Sequence, residues 1–295
     1  MMLLRADTRA RLVLVSLVAA AARGDRAHHS LSDSSNPSLG GSSESLRISF
    51  ESADRGFALQ SLAVAGPSSV TQFIVPPRPW VHGNMYDSLW TATVANTTSV
   101  FDLGSGTAGS RSWRALNDHA LELRWDNVSL PTTTGHTADV VLTVTLSADG
   151  SQVSWDPVFT NRAADVGLME FSLWVARLST STPDTDVLFV PAGFGALFTN
   201  PSQTLANWPM PGATRHPNAY KSNYPETLWQ LQYHGFFSGQ SGLYFGIHDP
   251  AGSMKTLTMG RPDLVITPAE TTVDGGNTST VIRYLLRSLC HELSL

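Results

Sequence analysis

The sequence predicts an all-β protein built as one large antiparallel sandwich of two sheets. From residue 46 onward, apolar and polar residues alternate with a period of two in at least ten segments. Clusters of Gly, Asn, Asp and Pro separate these segments, as expected for turns. No window carries an apolar stripe with helical spacing over three turns, so the crossover helices that join parallel strands are missing from the pattern.

The predicted strands follow one another closely along the chain. In order, they are LRISF, GFALQSLAVAG, SLWTATV, ALELRW, DVVLTVTL, QVSWDPVF, MEFSLWVARL, DVLFVP, LWQLQYHGFF, GLYFGIHD and TVIRYLL. The connections SADGS (147–151) and SGQSG (238–242) read as hairpins, because each has glycine where a tight turn needs a positive φ. About 240 residues are enough to bury a core, so we expect a single sandwich over residues 45–286.

The first 22 residues have the pattern of a secretory signal peptide. Arg5, Arg9 and Arg11 precede the apolar run LVLVSLVAAAA, which ends in small residues. The run is about half as long as a membrane span requires. We therefore expect cleavage after Ala22 and a secreted, extracellular protein without a membrane span. The alternative is a buried N-terminal helix.

Composition restricts the partners of the exported chain. Removal of residues 1–22 changes the formal net charge from −5 to −7, which argues against nucleic acid as a partner. The single cysteine, Cys290, leaves no intrachain disulfide, so the core alone must stabilise the fold. Three sequons predict glycosylation in a host that glycosylates; they begin at Asn96, Asn127 and Asn277.

Two apparent ligand motifs have simpler interpretations, and we predict neither a cofactor nor a metal site. Residues 23–44 form a Ser/Gly-rich linker, and its pair His28 and His29 has no further ligands for a metal. The motif GSGTAG (104–109) matches a dinucleotide fingerprint. That fingerprint requires a helix to follow, whereas period-two alternation follows here, so we read it as a glycine-rich turn.

The longest connection is a candidate binding element. About thirty residues separate PAGFGALF (191–198) from LWQLQ (228–232), and structureless loops of this length are commonly functional. It contains five prolines and the polar or aromatic residues Trp208, His216, Tyr220 and Tyr224, which argue for an ordered loop. Downstream, a strand ends at His248 and Asp249. This pair either begins a turn or lines a cleft where it binds a sugar hydroxyl or moves a proton.

Three segments of the sequence have a distinctive pattern: the hairpin region DVVLTVTLSADGSQVSWDPVFTNRAADVGLMEFSLWVARL, the stretch DVLFVPAGFGALFTNP and the stretch YPETLWQLQYHGFFSGQSGLYFGIHDPAGSMKTL. They resemble galactose-mutarotase-like "supersandwich" domains. The resemblance is to an uncharacterised family of secreted glycoside-hydrolase-like proteins, in which this sandwich precedes a (β/α)₈ barrel. It implies that the catalytic carboxylates lie on that barrel. Here the sequence stops where the barrel is expected, and its last residues, 287–295, form a tail that does not resemble the family.

The resemblance implies a non-catalytic sandwich that binds or frames a sugar, with the barrel as its partner in the longer protein. On this interpretation the carbohydrate-binding candidates are Trp208, His216, Tyr220, Tyr224, His248 and Asp249. A free-standing mutarotase or epimerase is one alternative, since His234 or His248 with Glu226 offers an acid and a base. A structural extracellular sandwich without a ligand is the other.

Overall fold

The computed structural model describes a set of ranges that covers most of the predicted strands. They are residues 11–15, 36–40, 46–65, 70–74, 89–96, 98–106, 109–130, 135, 137–163, 165–178, 186–190, 195–201, 219–224, 233–238, 241–248, 255–260 and 280–286.

Nineteen strands lie in these ranges. In chain order they are β1 (Arg11–Val15), β2 (Ser38–Leu39), β3 (Leu46–Phe50), β4 (Leu59–Ala65), β5 (Val70–Gln72), β6 (Trp90–Ala95), β7 (Val100–Gly104), β8 (Ser110–Asn117), β9 (Ala120–Ser129), β10 (Thr137–Leu146), β11 (Gln152–Asn161), β12 (Gly167–Leu178), β13 (Val187–Val190), β14 (Ala196–Thr199), β15 (Ala219–Tyr224), β16 (Tyr233–Ser238), β17 (Ser241–His248), β18 (Lys255–Gly260) and β19 (Thr280–Leu286).

Backbone hydrogen bonds join these strands into three antiparallel sheets. Sheet A has nine strands in the order β14-β13-β16-β17-β1-β11-β10-β9-β8. Sheet B has the order β2-β3-β4-β5, and sheet C has the order β15-β18-β19-β12-β6-β7. The prediction of an all-β antiparallel sandwich is confirmed.

The hairpin of β10 and β11 shows how the sequence pattern specifies a strand pair. Val140, Leu142 and Val144 are fully buried, and the residues between them are partly exposed. The turn closes through a hydrogen bond from Ser147 N to Gln152 O (2.8 Å), with Gly150 at a φ of 68°. Glycine adopts this conformation without strain, so the turn fixes the register that the apolar alternation requires.

Sheets B and C cover the same face of sheet A, which we call its inner face. Aromatic edge-to-face pairs join the layers, and each adds about 0.5–1.5 kcal/mol beyond the area it buries. Sheet B packs through Phe50–Trp155 (ring centroids 5.7 Å apart) and Phe73–Phe236 (6.4 Å). Sheet C packs through Trp90–Trp125 (5.8 Å) and Phe159–Phe171 (6.1 Å). The second layer of the sandwich is thus divided between two sheets.

Described structure begins earlier in the chain than the predicted sandwich boundary at residue 45. Strand β2 lies in the segment predicted as a linker, and Leu39 is only 2% exposed in the core. Strand β1 lies within the predicted signal peptide, where the sequence offered a helix as the alternative. Residues 1–10, 16–35 and 287–295 lie outside the described ranges, and cleavage after Ala22 stays a prediction.

The sequence predicted the structure of the GSGTAG segment better than that of the thirty-residue connection. The GSGTAG segment joins β7 to β8, and its described residues, 104–106 and 109, form a turn between strands. The thirty-residue connection, in contrast, contains strand β15 at the edge of sheet C. Its sequence, AYKSNY, lacks the alternating apolar residues that mark a strand buried on one face.

Candidate functional site

The face of sheet A that points away from sheets B and C has two dissimilar halves. The charged half, on strands β8 and β9, consists of Arg114, Glu122, Arg124 and Asp126. The aromatic half, on strands β13, β14, β16 and β17, consists of Phe189, Leu197, Gly235, Phe237 and Tyr244. The latter residues alternate with Leu188, Phe198, Phe236 and Leu243, which are buried in the core. Because side chains alternate across a strand, the aromatic half lies on the outer face.

Across β16 and β17, aromatic residues lie opposite glycines in the backbone register. The register pairs Phe237 with Gly242, Gly235 with Tyr244, and Tyr233 with Gly246. An aromatic ring beside a glycine covers the bare backbone of the opposite strand. Glycine within a strand also marks places where a ligand approaches closely. The glycines of this hairpin therefore leave room for the aromatic rings beside them.

The rings of the aromatic half occupy space that a Cβ atom would need. A Cβ built on Gly235 would lie 3.1 Å from Cε2 of Phe237 and 3.6 Å from Cβ of Phe189. One built on Gly195 would lie 2.9 Å from Cε2 of Phe189. Gly195 also has a φ of +97°, a conformation that strains other residues. These glycines allow both phenylalanine rings to lie close to the backbone.

Two residues of the aromatic half are exposed despite their apolar character. Phe237 is 43% exposed, and Leu197, which pairs with Phe189 across β13 and β14, is 69% exposed. Exposed apolar patches of this kind are typical of binding surfaces. An accessible aromatic ring packs against the apolar face of a ring-shaped ligand through dispersion and burial of C–H groups.

The side chains of the charged half form ion pairs with one another. Arg114 donates to both carboxylate oxygens of Glu122, from Nε (3.0 Å) and from an Nη (3.2 Å). Arg124 bridges Glu122 (3.4 Å) and Asp126 (3.2 Å). The hydrogen bond from Arg114 lowers the pKa of Glu122, against the opposing effect of burial. Glu122 therefore stays ionised at neutral pH, which makes it a poor general acid.

A second buried carboxylate, Asp139, stabilises the end of β9. It accepts a hydrogen bond from Asn127 N (3.0 Å) and forms an ion pair with Arg162. Asn127 has a φ of 56°, and Arg162 also donates to its side-chain oxygen at 3.4 Å. This sequon asparagine is exposed. Asp139 thus holds the backbone at the irregularity between β9 and β10.

The Asn96 sequon has a different local structure. It lies in the turn between β6 and β7, where the Asn96 side-chain oxygen accepts hydrogen bonds from Thr98 N (2.9 Å) and Ser99 N (2.8 Å). The hydroxyl of Thr98 donates to the same oxygen at 3.0 Å. Asn277 lies outside the described residues. Glycosylation of all three positions stays a prediction.

The structure distributes the binding residues predicted from sequence over different sheets. Tyr220 and Tyr224 lie in β15 of sheet C, opposite Met259 and Lys255 of β18. His248 ends β17 of sheet A, opposite Arg11 of β1. Trp208, His216 and Asp249 lie outside the described residues. Both tyrosines therefore share one strand, and His248 belongs to the other layer.

Sequence reasoning missed the aromatic half, although a signal for it was present. The turn SGQSG fixes Ser238 opposite Ser241, so each aromatic in YHGFFS can be paired with a residue of SGLYFGIH by counting back from the turn. That count places Phe237 and Tyr244 opposite glycines. Leu197 and Phe189 could not be added, because strand β13 joins β16 across a long gap in sequence.

The described residues contain no group of three or more His, Cys, Asp or Glu side chains that could hold a metal ion. In the same part of the chain, no helix has both the length and the apolar character needed to cross a membrane.

Comparisons of the whole chain with known proteins do not assign it to a family. No protein-family model matches the sequence, and no curated protein is significantly similar to it.

Proposed function

We propose that this protein is a secreted, carbohydrate-associated β-sandwich that binds or frames a sugar on the aromatic half of sheet A. The observation that carries the proposal is the set of aromatic–glycine pairs across β16 and β17, beside the exposed ring of Phe237. The resemblance of three segments to galactose-mutarotase-like domains supports a sugar as the ligand. In the longer architecture of that family, the partner of the sandwich is a (β/α)₈ barrel that performs catalysis.

The chemistry of a sugar suits such a surface. One face of a pyranose ring presents several C–H groups, and these pack on an aromatic ring while the hydroxyl groups keep their contacts with water or polar side chains. His248 ends β17, two residues beyond Gly246, and is a candidate for hydroxyl contacts at the strand end. Asp249 lies outside the described residues and stays a predicted contact.

The affinity should be modest because the surface is open. Burying one aromatic side chain contributes about 1.5–3 kcal/mol, and association has its own entropic cost. We therefore expect single sugars to bind with a Kd of roughly 0.1–10 mM. Oligosaccharides that reach both Phe237 and Phe189 should bind more tightly.

Glycan-array screening followed by calorimetric titration of the full chain tests the proposal. The Phe237→Ala variant should weaken binding of the best ligand about tenfold, whereas Phe237→Trp should retain it. Leu116→Ala is the matched control, since Leu116 is also 43% exposed but lies on β8 at the opposite edge of sheet A. Binding that is absent from the array, or unchanged in Phe237→Ala, would refute the proposed site.

A further inference from the structure

Strand β1 occupies a central position in the largest described sheet. It lies fifth in the nine-stranded sheet A, and both of its edges are hydrogen-bonded to strands. On one side it pairs with residues 152–155 of β11, and on the other with residues 244–248 of β17. In sheet A, β11 and β17 are therefore connected through their hydrogen bonds to β1.

The strand directions make β1 difficult to replace by simple closure of the sheet. β1 is antiparallel to β11 and also antiparallel to β17, so these two strands run parallel to each other. With β1 between them, they stand about 9–10 Å apart, twice the usual strand spacing. Without β1, each would expose a row of unpaired N–H and C=O groups. Direct pairing would require one half of the sheet to move by about 5 Å into a parallel register.

The groove between β11 and β17 has a defined chemical preference. Positions 12 and 14 of β1 lie opposite Trp155 and Val153, which are fully buried on the inner face. Position 13 lies opposite Gly246 and Ser154, which are small. An extended peptide with apolar residues at alternate positions fits this register, and main-chain hydrogen bonds to both edges would supply much of its affinity.

The same residues belong to the apolar run that predicts an export signal. Leu12 to Val15 begin the sequence LVLVSLVAAAA, so cleavage after Ala22 would remove β1 from the chain. One segment thus has two incompatible uses: it either completes sheet A or leaves with the signal peptide.

We propose that the groove between β11 and β17 is a strand-acceptor site, which Arg11–Val15 fills in the uncleaved chain and from which this segment can be released and rebound. Its ligand is an extended peptide with apolar residues at the positions of Leu12 and Leu14, which lie opposite Trp155 and Val153. Cleavage then converts a completed sheet into one with a vacant groove that binds such a strand in trans. This inference concerns the centre of sheet A and does not depend on sugar binding.

The test uses the full chain, produced in the cytosol of a bacterium so that residues 1–22 are retained. A site-specific protease sequence is inserted after Arg26, and the purified protein is cut. We expect the N-terminal fragment to co-elute with the remainder under native conditions. A labelled synthetic peptide of residues 9–17 should replace it, while a peptide with Val13→Pro should bind at least tenfold more weakly because it lacks one N–H and cannot keep the strand straight. The Val13→Thr peptide is the control, because it keeps the backbone N–H at position 13 and can remain extended.

Hydrogen exchange distinguishes the proposal from closure of the sheet. Loss of the fragment should remove the protection of amides in 152–155 and 244–248, and added peptide should restore it. Prompt release of the fragment with protection retained would show that β11 and β17 pair directly, and the proposal would be wrong. Equal binding of the Val13→Pro peptide would also overturn it.

A disulfide in the uncut chain keeps the test decisive if the cut protein aggregates. In a Cys290→Ser background, Val13→Cys combined with Ser154→Cys should oxidise, since facing residues of antiparallel strands have suitable Cα separations. Val13→Cys with Asp156→Cys, two residues out of register, should not. Failure of the in-register pair to form would contradict the position of β1.

Discussion

The two halves of the outer face of sheet A differ in whether their side chains find partners within the protein. In the charged half, Arg114 and Arg124 neutralise Glu122 and Asp126, so each group finds its partner within the protein. In the aromatic half, Phe237 and Leu197 keep apolar surface in contact with water. The charged half is complete without a ligand, whereas the aromatic half has apolar surface left to bury. The difference predicts that substitutions in one half change stability and those in the other change binding.

The largest effect should come from Glu122→Ala in the charged half. Glu122 is only 8% exposed, and its removal leaves two guanidinium groups without the carboxylate between them. We expect the free energy of unfolding to fall by about 2 kcal/mol, measured by urea denaturation, with sugar binding unchanged. Glu51→Ala is the control, because Glu51 approaches Arg55 only to 4.0 Å, and it should cost less than about 0.5 kcal/mol. A loss of sugar binding in Glu122→Ala would break the separation between the halves.

Acid should weaken the charged half before it affects the aromatic half. The pKa of Glu122 lies below its ordinary value of 4.5 in the folded protein, chiefly because Arg114 donates to it. The unfolded chain therefore binds this proton first, and the contribution is complete above pH 4.5 and is lost as the pH falls through the lower folded-state pKa. We expect part of the stability that Glu122 contributes to depend on pH in this way. Urea midpoints of the wild type and Glu122→Gln, measured from pH 7 to pH 3, should converge at the acid end; parallel curves would contradict the assignment.

The smallest effect should come from Gly235→Ala, which tests the geometry of the aromatic half. The added Cβ would lie 3.1 Å from the Phe237 ring, so the ring must tilt by a few tenths of an ångström. Sugar affinity should fall about threefold, or roughly 0.6 kcal/mol, in calorimetric titration. Gly167→Ala is the matched strand substitution, since the nearest atom to its Cβ would be 3.9 Å away, and it should leave affinity unchanged. Equal affinities in both variants would mean that the ring orientation does not matter for binding.

The sequence predicted those parts of the fold in which local pattern decides structure. The β10–β11 hairpin follows from alternating apolar residues and one glycine turn. The outward direction of Glu122 follows from the same alternation, but its partner Arg114 depends on the register of β8 against β9, which shifts between Ala115 and Asn117. Pairing between distant segments determines such features, and alternation along one strand carries no information about it.

Three features lay beyond the reach of sequence reasoning for similar reasons. Strand β15 is an edge strand with polar residues on both sides, so its pattern resembles a loop. The division of the second layer into sheets B and C depends on which strands pair across long separations. The strand at Arg11–Val15 has the composition of an export signal, and periodicity cannot distinguish a short apolar run in a sheet from one in a signal.

The position of β1 in sheet A also determines when, during synthesis, both of its edges can pair. Its partner Tyr244–His248 is synthesised more than two hundred residues after it, so at common translation rates β1 waits roughly 10–50 seconds before its second edge can pair. On the prediction that residues 1–22 are an export signal, this interval gives a signal peptidase time to cut after Ala22. The predicted cleavage would therefore compete with completion of sheet A while the chain is being synthesised.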